Sequence, residues 1–287
     1  MIRWLTILLQ LTKFRISLFA SLSTATGFIL AHQGLSIVIL PLVLGVFSLA
    51  CGSCALNQYQ ERHPDRIMVR TGARPLPSGR LRSSTALRIS LFFLLLGILI
   101  LYVGTSWKAL GLGVFAVILY NGIYTSLKKK TAFAVIPGAM IGAIPPALGW
   151  VSEGRNPLEP QILAIAFFFF IWQVPHFWLL LLNSAEDYEK AGFPTLTRFF
   201  TLAQIKRITS IWIFGTAVTC LLIPLFGMVE SYVVYGGLFA AALWLAWKAY
   251  GLMRPSTSEF FLRNTFNTIN AYALVMMTLV VLESLSK

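Results

Sequence analysis

Nine apolar runs, each close to the length that crosses a bilayer, constrain this chain more than any other feature. They fall at about 16–31, 35–56, 86–104, 108–126, 132–151, 161–182, 208–227, 231–250 and 267–285, near the roughly 20 residues a spanning helix needs. Inside hydrocarbon no water satisfies backbone N–H and C=O groups, so runs of this kind fold as α-helices. Composition agrees: charged residues are only 11% of the chain, against about 25% in a soluble domain. No polar block is long enough to form a second domain, so residues 1–287 read as a single integral membrane domain. The second run starts almost at once after the first, with no small-residue cleavage pattern between them, which argues against a signal peptide.

Charge gives the orientation. With the N-terminus inside, all but Lys108, Arg155 and Lys287 of the 23 Lys and Arg residues fall on inner segments. This is the positive-inside pattern, with the C-terminus outside, and it accounts for the net charge of +13 without a nucleic-acid partner. The expected fold is all-α, a polytopic membrane bundle of nine transmembrane helices around a central cavity open toward the cytoplasmic side. In a bacterium, the setting is the cytoplasmic (inner) membrane. Cys51 and Cys54 form a C-x-x-C inside the second run, beside Gly52 and Ser53. Small residues for close helix packing explain it better than redox chemistry does.

Two inner segments, about 57–85 and 183–207, are much the longest, and loops of that length in a compact bundle are usually functional. In the first, Asn57, Glu61 and Asp65 are spaced by four, which places three oxygen-bearing side chains on one helical face. Carboxylate and amide oxygens suit Mg²⁺, which commonly keeps phosphates as further ligands. Arg66, Arg70 and Arg74 follow, a cluster suited to a diphosphate. Pro64 intervenes, and a helix ending there would take Asp65 off the shared face.

From the sixth run into the second segment, His176, Asn183 and Asp187 are spaced by seven and four, one stripe of a continuing helix that brings Asp187 to the depth of Asp65. Glu186 and Glu189 fall off that stripe. Two acidic clusters at one depth predict a two-sided Mg²⁺ clamp, with Asn57, Glu61, Asp65 and Asp187 as ligands and a leaving diphosphate between them. Tyr120, Tyr124 and Lys128 share a third face. Lys128 reads equally as a diphosphate ligand or a snorkelling lysine, and the tyrosines as rings facing an electron-poor centre or as interfacial aromatics. Gly138 and Gly142 form a G-x-x-x-G for close packing, and Pro145–Pro146 should break the backbone ladder of the fifth run. His176 lies with Trp172 and Gln173 deeper in the sixth run, either as a hydrogen-bonded core residue or as a substrate contact.

These stretches resemble the protohaem IX farnesyltransferase branch of the UbiA-type intramembrane prenyltransferases. The first is similar to that family's N-x-x-x-[DE]-x-x-x-D and M-x-R-T-x-x-R-P-L-P-x-G, through Asn57, Glu61, Asp65, Met68, Arg70, Thr71, Arg74, Pro75, Leu76, Pro77 and Gly79. Tyr124, Thr125, Lys128 and Thr131, then Gly142, Ala143, Pro145, Pro146, Gly149 and Trp150, match a second motif. Trp172, Gln173, Pro175, His176, Phe177 and Trp178, with Asp187, Tyr188, Ala191, Gly192 and Pro194, match a third that points to the haem branch. Ala134 stands where the family usually has asparagine, and Thr195 where methionine is common.

The resemblance implies a Mg²⁺-dependent transfer of farnesyl from farnesyl diphosphate to a vinyl group of protohaem IX, giving haem O. Asn57, Glu61, Asp65, Asp187, Lys128 and Tyr124 would be catalytic. Arg66, Arg70, Arg74 and Lys128 would hold diphosphate, and His176, Gln173 and Trp172 the acceptor. A haem A synthase or terminal oxidase would use the product. The rival readings are a prenyltransferase for an aromatic or quinone-precursor acceptor and, more distantly, a transporter. Against the transporter, the acids sit at inner ends of runs and scarcely any lie mid-span.

Overall fold

The computed structural model describes residues 2–254 and 258–287, with the side chains of Ile2 and Arg3 outside the description. Among the described residues nine helices are long and apolar enough to cross a membrane. They are α1 (Phe14–His32), α2 (Ile39–Gln60), α3 (Ser83–Gly104), α4 (Trp107–Leu127), α5 (Ala132–Ser152), α6 (Pro160–Leu182), α7 (Leu202–Phe226), α8 (Tyr232–Leu252) and α9 (Glu259–Leu285). All nine expected spans are present. The largest differences are earlier starts to α7 and α9, because each begins with a capped turn followed by charged residues, Lys206 and Arg207 in α7 and Arg263 in α9, which lower the local hydropathy. Thr201 and Gln204 form a capping box at α7, and Ser258 accepts the N–H of Phe261 at α9.

The helices close into a ring. α1 packs on α2 and α5, α6 on α5 and α7, and α9 on α6, α8 and α1. In lipid the apolar faces gain little from meeting one another, so close approach of small residues carries the packing. A Cβ on Gly27 would lie 1.9 Å from the Pro146 carbonyl oxygen, and one on Gly149 would lie 2.0 Å from that of Thr24. The α1–α5 seam thus brings two backbones into contact. On the α2–α3 seam Gly52 faces the Leu94 backbone, Ser90 Oγ donates to the Gly52 carbonyl at 3.0 Å, and Cys51 and Cys54 are free and buried. The C-x-x-C therefore belongs to a packing surface.

Two expectations change in α5. The helix runs through Pro145 and Pro146 without interruption. Gly138 and Gly142 make room for side chains: added Cβ atoms would strike the Tyr124 ring at 2.5 Å and Gln173 Oε1 at 2.7 Å. An element absent from the sequence reading, the helix Ile2–Leu11, precedes α1. Its Ile7 and Leu11 pack with Ala55, Leu76 and Leu81, over the first long loop.

Candidate active site

The end of α2 carries the first cluster. The helix turns at Glu61 and resumes as Arg62–Ile67, yet Glu61 N–H still donates to the Asn57 carbonyl at 3.0 Å and Asp65 N–H to that of Glu61 at 2.8 Å. The four-residue spacing is therefore kept, and Asn57, Glu61 and Asp65 are 1%, 5% and 4% exposed. Pro64 does not displace Asp65. It falls in the first turn of the resumed helix, where backbone N–H groups have no intrahelical partner to lose.

Each buried oxygen donor meets a cation. Arg74 Nη1 lies 2.6 Å from Asp65 Oδ2, Lys128 Nζ is ion-paired with Glu61, and Lys13 Nζ donates to Asn57 Oδ1 at 3.0 Å. Asn57 Nδ2 donates to Thr125 Oγ1 at 3.2 Å, which turns its carbonyl oxygen toward Lys13. Arg66 is exposed and has no partner among the described residues.

α4 approaches this cluster through a π-helical turn, Ile118–Tyr124. The wider turn brings residues four apart toward one meridian. The Tyr120 and Tyr124 rings stack at 6.0 Å and 14°, and Lys128 Nζ lies 5.2 Å from the Tyr124 ring centroid. The expected shared face is present, and its ion pair with Glu61 turns Lys128 inward.

Lys13 carried no role in the sequence reading beyond its charge. It sits between Ile2–Leu11 and α1 with φ 47° and ψ 54°, a left-handed conformation uncommon for a side-chain-bearing residue. Gln58 Nε2 donates to the carbonyls of Gln10 and Leu11, at 2.7 and 3.0 Å, which fastens the preceding turn to α2. Burial pushes the Lys13 ammonium down to about 8. Only its place immediately before the first span hinted at this role.

The second acidic segment is built differently from the expected stripe. α6 ends at Leu182, Asn183 and Ser184 turn, and Ala185–Lys190 forms a separate short helix. Asn183 Nδ2 bonds back to the Leu179 carbonyl at 3.0 Å, in the last turn of α6. Asp187 nevertheless reaches the first loop, where its Oδ2 accepts the Arg70 backbone N–H at 3.0 Å. Arg70 Nη2 also donates to the Tyr188 hydroxyl at 3.1 Å. Glu186 is exposed and pairs with Lys190. Glu189 accepts the hydroxyls of Thr195 and Thr197, which hold its carboxyl below the usual range. Thr195 thus shapes the loop through Glu189.

A line of rings leads from Lys128 inward: Tyr124 stacks on Phe177 at 5.7 Å, and Phe177 meets His176 at 5.8 Å. Trp172 and Phe266 flank the imidazole at 4.9 and 4.8 Å, and Trp172 Nε1 donates to the Ile269 carbonyl at 2.9 Å. His176 Nδ1 lies 2.9 Å from Asn270 Oδ1. Gln173 sits against Gly142. Asn270 and Phe266 of α9 were not legible as site residues, because an amide and a ring in an apolar run carry no motif.

Among the described residues no three Asp, Glu, His or Cys side chains converge as a cage for a bare metal ion. The donor set is a buried amide oxygen and carboxylates, hard ligands faced by Lys13, Lys128 and Arg74. Such a set suits Mg²⁺ that arrives with diphosphate oxygens filling much of its shell, the phosphates meeting the cations as the carboxylates meet the metal.

The UbiA prenyltransferase family matches residues 20–269. A protoheme IX farnesyltransferase of Oleidesulfovibrio alaskensis is 32% identical over 277 residues, covering 96% of this chain and 95% of its own. That of Geobacter sulfurreducens is 36% identical over 220 residues, covering 77% of this chain and 81% of its own. Among solved structures, a digeranylgeranylglyceryl phosphate synthase superposes with TM-score 0.77 at 14% identity, covering 99% of both chains. A UbiA homolog from Archaeoglobus fulgidus bound to GPP and Mg²⁺ superposes with TM-score 0.66 at 16% identity, covering 96% of this chain and 99% of its own.

Proposed function

Because this chain belongs to the UbiA prenyltransferase family, we propose that it transfers the farnesyl group of farnesyl diphosphate to a vinyl group of protohaem IX, releasing diphosphate and giving haem O. The observation that carries this reading is the joining of the two long loops by Arg70 N–H and Asp187, together with the Glu61–Lys128 and Asp65–Arg74 pairs and the ring line that runs from Lys128 by Tyr124 and Phe177 to His176. Relatives named for this reaction support the acceptor.

Asn57, Glu61, Asp65 and Asp187 would hold Mg²⁺, which supplies charge neutralisation of the diphosphate. On donor binding, Lys128, Arg74 and Lys13 exchange protein oxygens for phosphate oxygens. These fixed cations stabilise the charge that grows as the allylic C–O bond breaks. The π-faces of Tyr120 and Tyr124 favour the electron-poor carbon. The vinyl group forms the new C–C bond, and water then adds at the neighbouring carbon, losing a proton to leave the hydroxyl. The docked loops and the membrane keep water away until the C–C bond exists. The basic inner segments orient the site toward the cytoplasmic side of the inner membrane. The product would pass to a haem A synthase or terminal oxidase.

The test is purified protein with farnesyl diphosphate, protohaem IX and Mg²⁺, followed by mass spectrometry of extracted haem. A product with the mass of haem O is expected. Prenylation of an aromatic acid in its place, with haem unchanged, overturns the acceptor assignment.

A further inference from the structure

Asn270 sits one turn along α9 from Phe266, and its Nδ2 donates to the Phe266 carbonyl at 2.8 Å. That bond fixes which end of the amide is which, so the atom 2.9 Å from His176 Nδ1 is the carbonyl oxygen Oδ1. An amide oxygen only accepts, so Nδ1 carries the hydrogen and, in the neutral ring, Nε2 is a bare lone pair. Nε2 has no hydrogen-bond partner among the described residues, and the side chain is half-buried. Trp172, Phe177 and Phe266 form an aromatic wall around the imidazole. The adjacent Ile269 carbonyl holds Trp172, so two consecutive residues of α9 set both the wall and the imidazole.

We infer that Asn270 is a positioning residue that fixes His176 in its Nδ1–H tautomer, so that Nε2 ligates the iron of the haem acceptor. This rests on the haem reading of the site. A second partner on the outer nitrogen is what orients a metal-bound histidine and raises its basicity. It makes iron, and not only the porphyrin plane, part of acceptor recognition. It also gives the two faces of the haem different surroundings, which fixes the side on which the macrocycle is held.

The test compares protohaem IX with iron-free protoporphyrin IX by equilibrium titration of the purified protein, following the Soret band and tryptophan quenching. Wild type is expected to bind the haem more tightly than the porphyrin. His176→Ala and Asn270→Leu are expected to narrow that preference by about tenfold, the low end of losses on removing such a partner. Porphyrin affinity should fall by far less than haem affinity, and an unfolding temperature close to wild type checks that each variant is folded. Asn270→Asp keeps an acceptor for Nδ1–H and is expected to retain the preference. Equal weakening of both ligands in Asn270→Leu, or a wild-type preference and Soret spectrum in that variant, overturns the inference. Haem O formation by wild type separates the two readings: with product but no iron preference only this inference fails, and without product the acceptor assignment fails.

Discussion

Arg70 donates its backbone N–H to Asp187 Oδ2 at 3.0 Å, joining two loops that are 117 residues apart in the chain. The bond ties the second acidic segment to the first long loop without any continuous helix to carry it. It also separates two functions of Asp187, since an asparagine oxygen still accepts the N–H but carries no charge. Asp187→Asn is expected to cost tenfold or more in activity at limiting Mg²⁺, partly regained at high Mg²⁺. Full activity at limiting Mg²⁺ would remove Asp187 from the clamp.

Lys128→Met leaves the Glu61 carboxylate buried without its cation. Stripping one partner from a buried pair costs about 3 kcal/mol or more. Thermal unfolding in detergent should show that loss. The double variant Glu61→Gln/Lys128→Met should recover most of the stability and none of the activity.

Lys13 titrates near the working range. Its ammonium, held at about 8 by burial, is the form that binds an anion, and that form is present below pH 8 and lost above it. Since kcat/KM reports groups of the free enzyme, kcat/KM for the donor should decline above about pH 8. Lys13→Arg, charged throughout, should abolish that limb while retaining measurable activity.

Metal removal should silence the enzyme without unfolding it. Lys13, Lys128 and Arg74 already face the buried oxygen donors, so the folded state does not depend on a bound ion. Chelation with EDTA should stop product formation and leave the unfolding temperature within a degree or so, restored activity following added Mg²⁺. A collapse in unfolding temperature on chelation would assign the metal a structural role.

The α1–α5 seam gives a stability prediction. Ala at Gly27 would drive its Cβ into the Pro146 carbonyl, a backbone atom that cannot rotate away. Overpacking of this kind costs about 3 kcal/mol. Gly111→Ala on α4, where an added Cβ meets nothing within 4 Å, should be neutral or stabilising, since Ala favours helix by about 1 kcal/mol over Gly. Unfolding temperatures of the two variants, measured side by side, check the contrast.

Much of the candidate site was legible because its chemistry is rare in this chain. Asn57, Glu61, Asp65 and Lys128 stand out against hydrocarbon, and helical spacing groups the first three even across Pro64, while the Lys128 pairing with Glu61 is tertiary. Asp187 reaches the first loop, but not along the helical stripe that its spacing predicts. The stripe from His176 breaks at Asn183–Ser184, and a loop contact takes its place. Lys13, Thr125 and Asn270 were not singled out as site residues. Their side chains act through partners 44, 68 and 94 positions away, and no periodicity records such a pairing.

The sequence by itself determined nine spanning helices and the residue types at the C-terminal ends of the second, fourth and sixth of them. The physical reason is local: in lipid each helix satisfies its own backbone, so length and hydropathy suffice to count spans. Tertiary structure decided which cation covers which oxygen donor, how the left-handed turn at Lys13 delivers its ammonium, and which nitrogen of His176 is held by Asn270. Those choices depend on distances between distant helices, set by glycine seams such as Gly27 against Pro146.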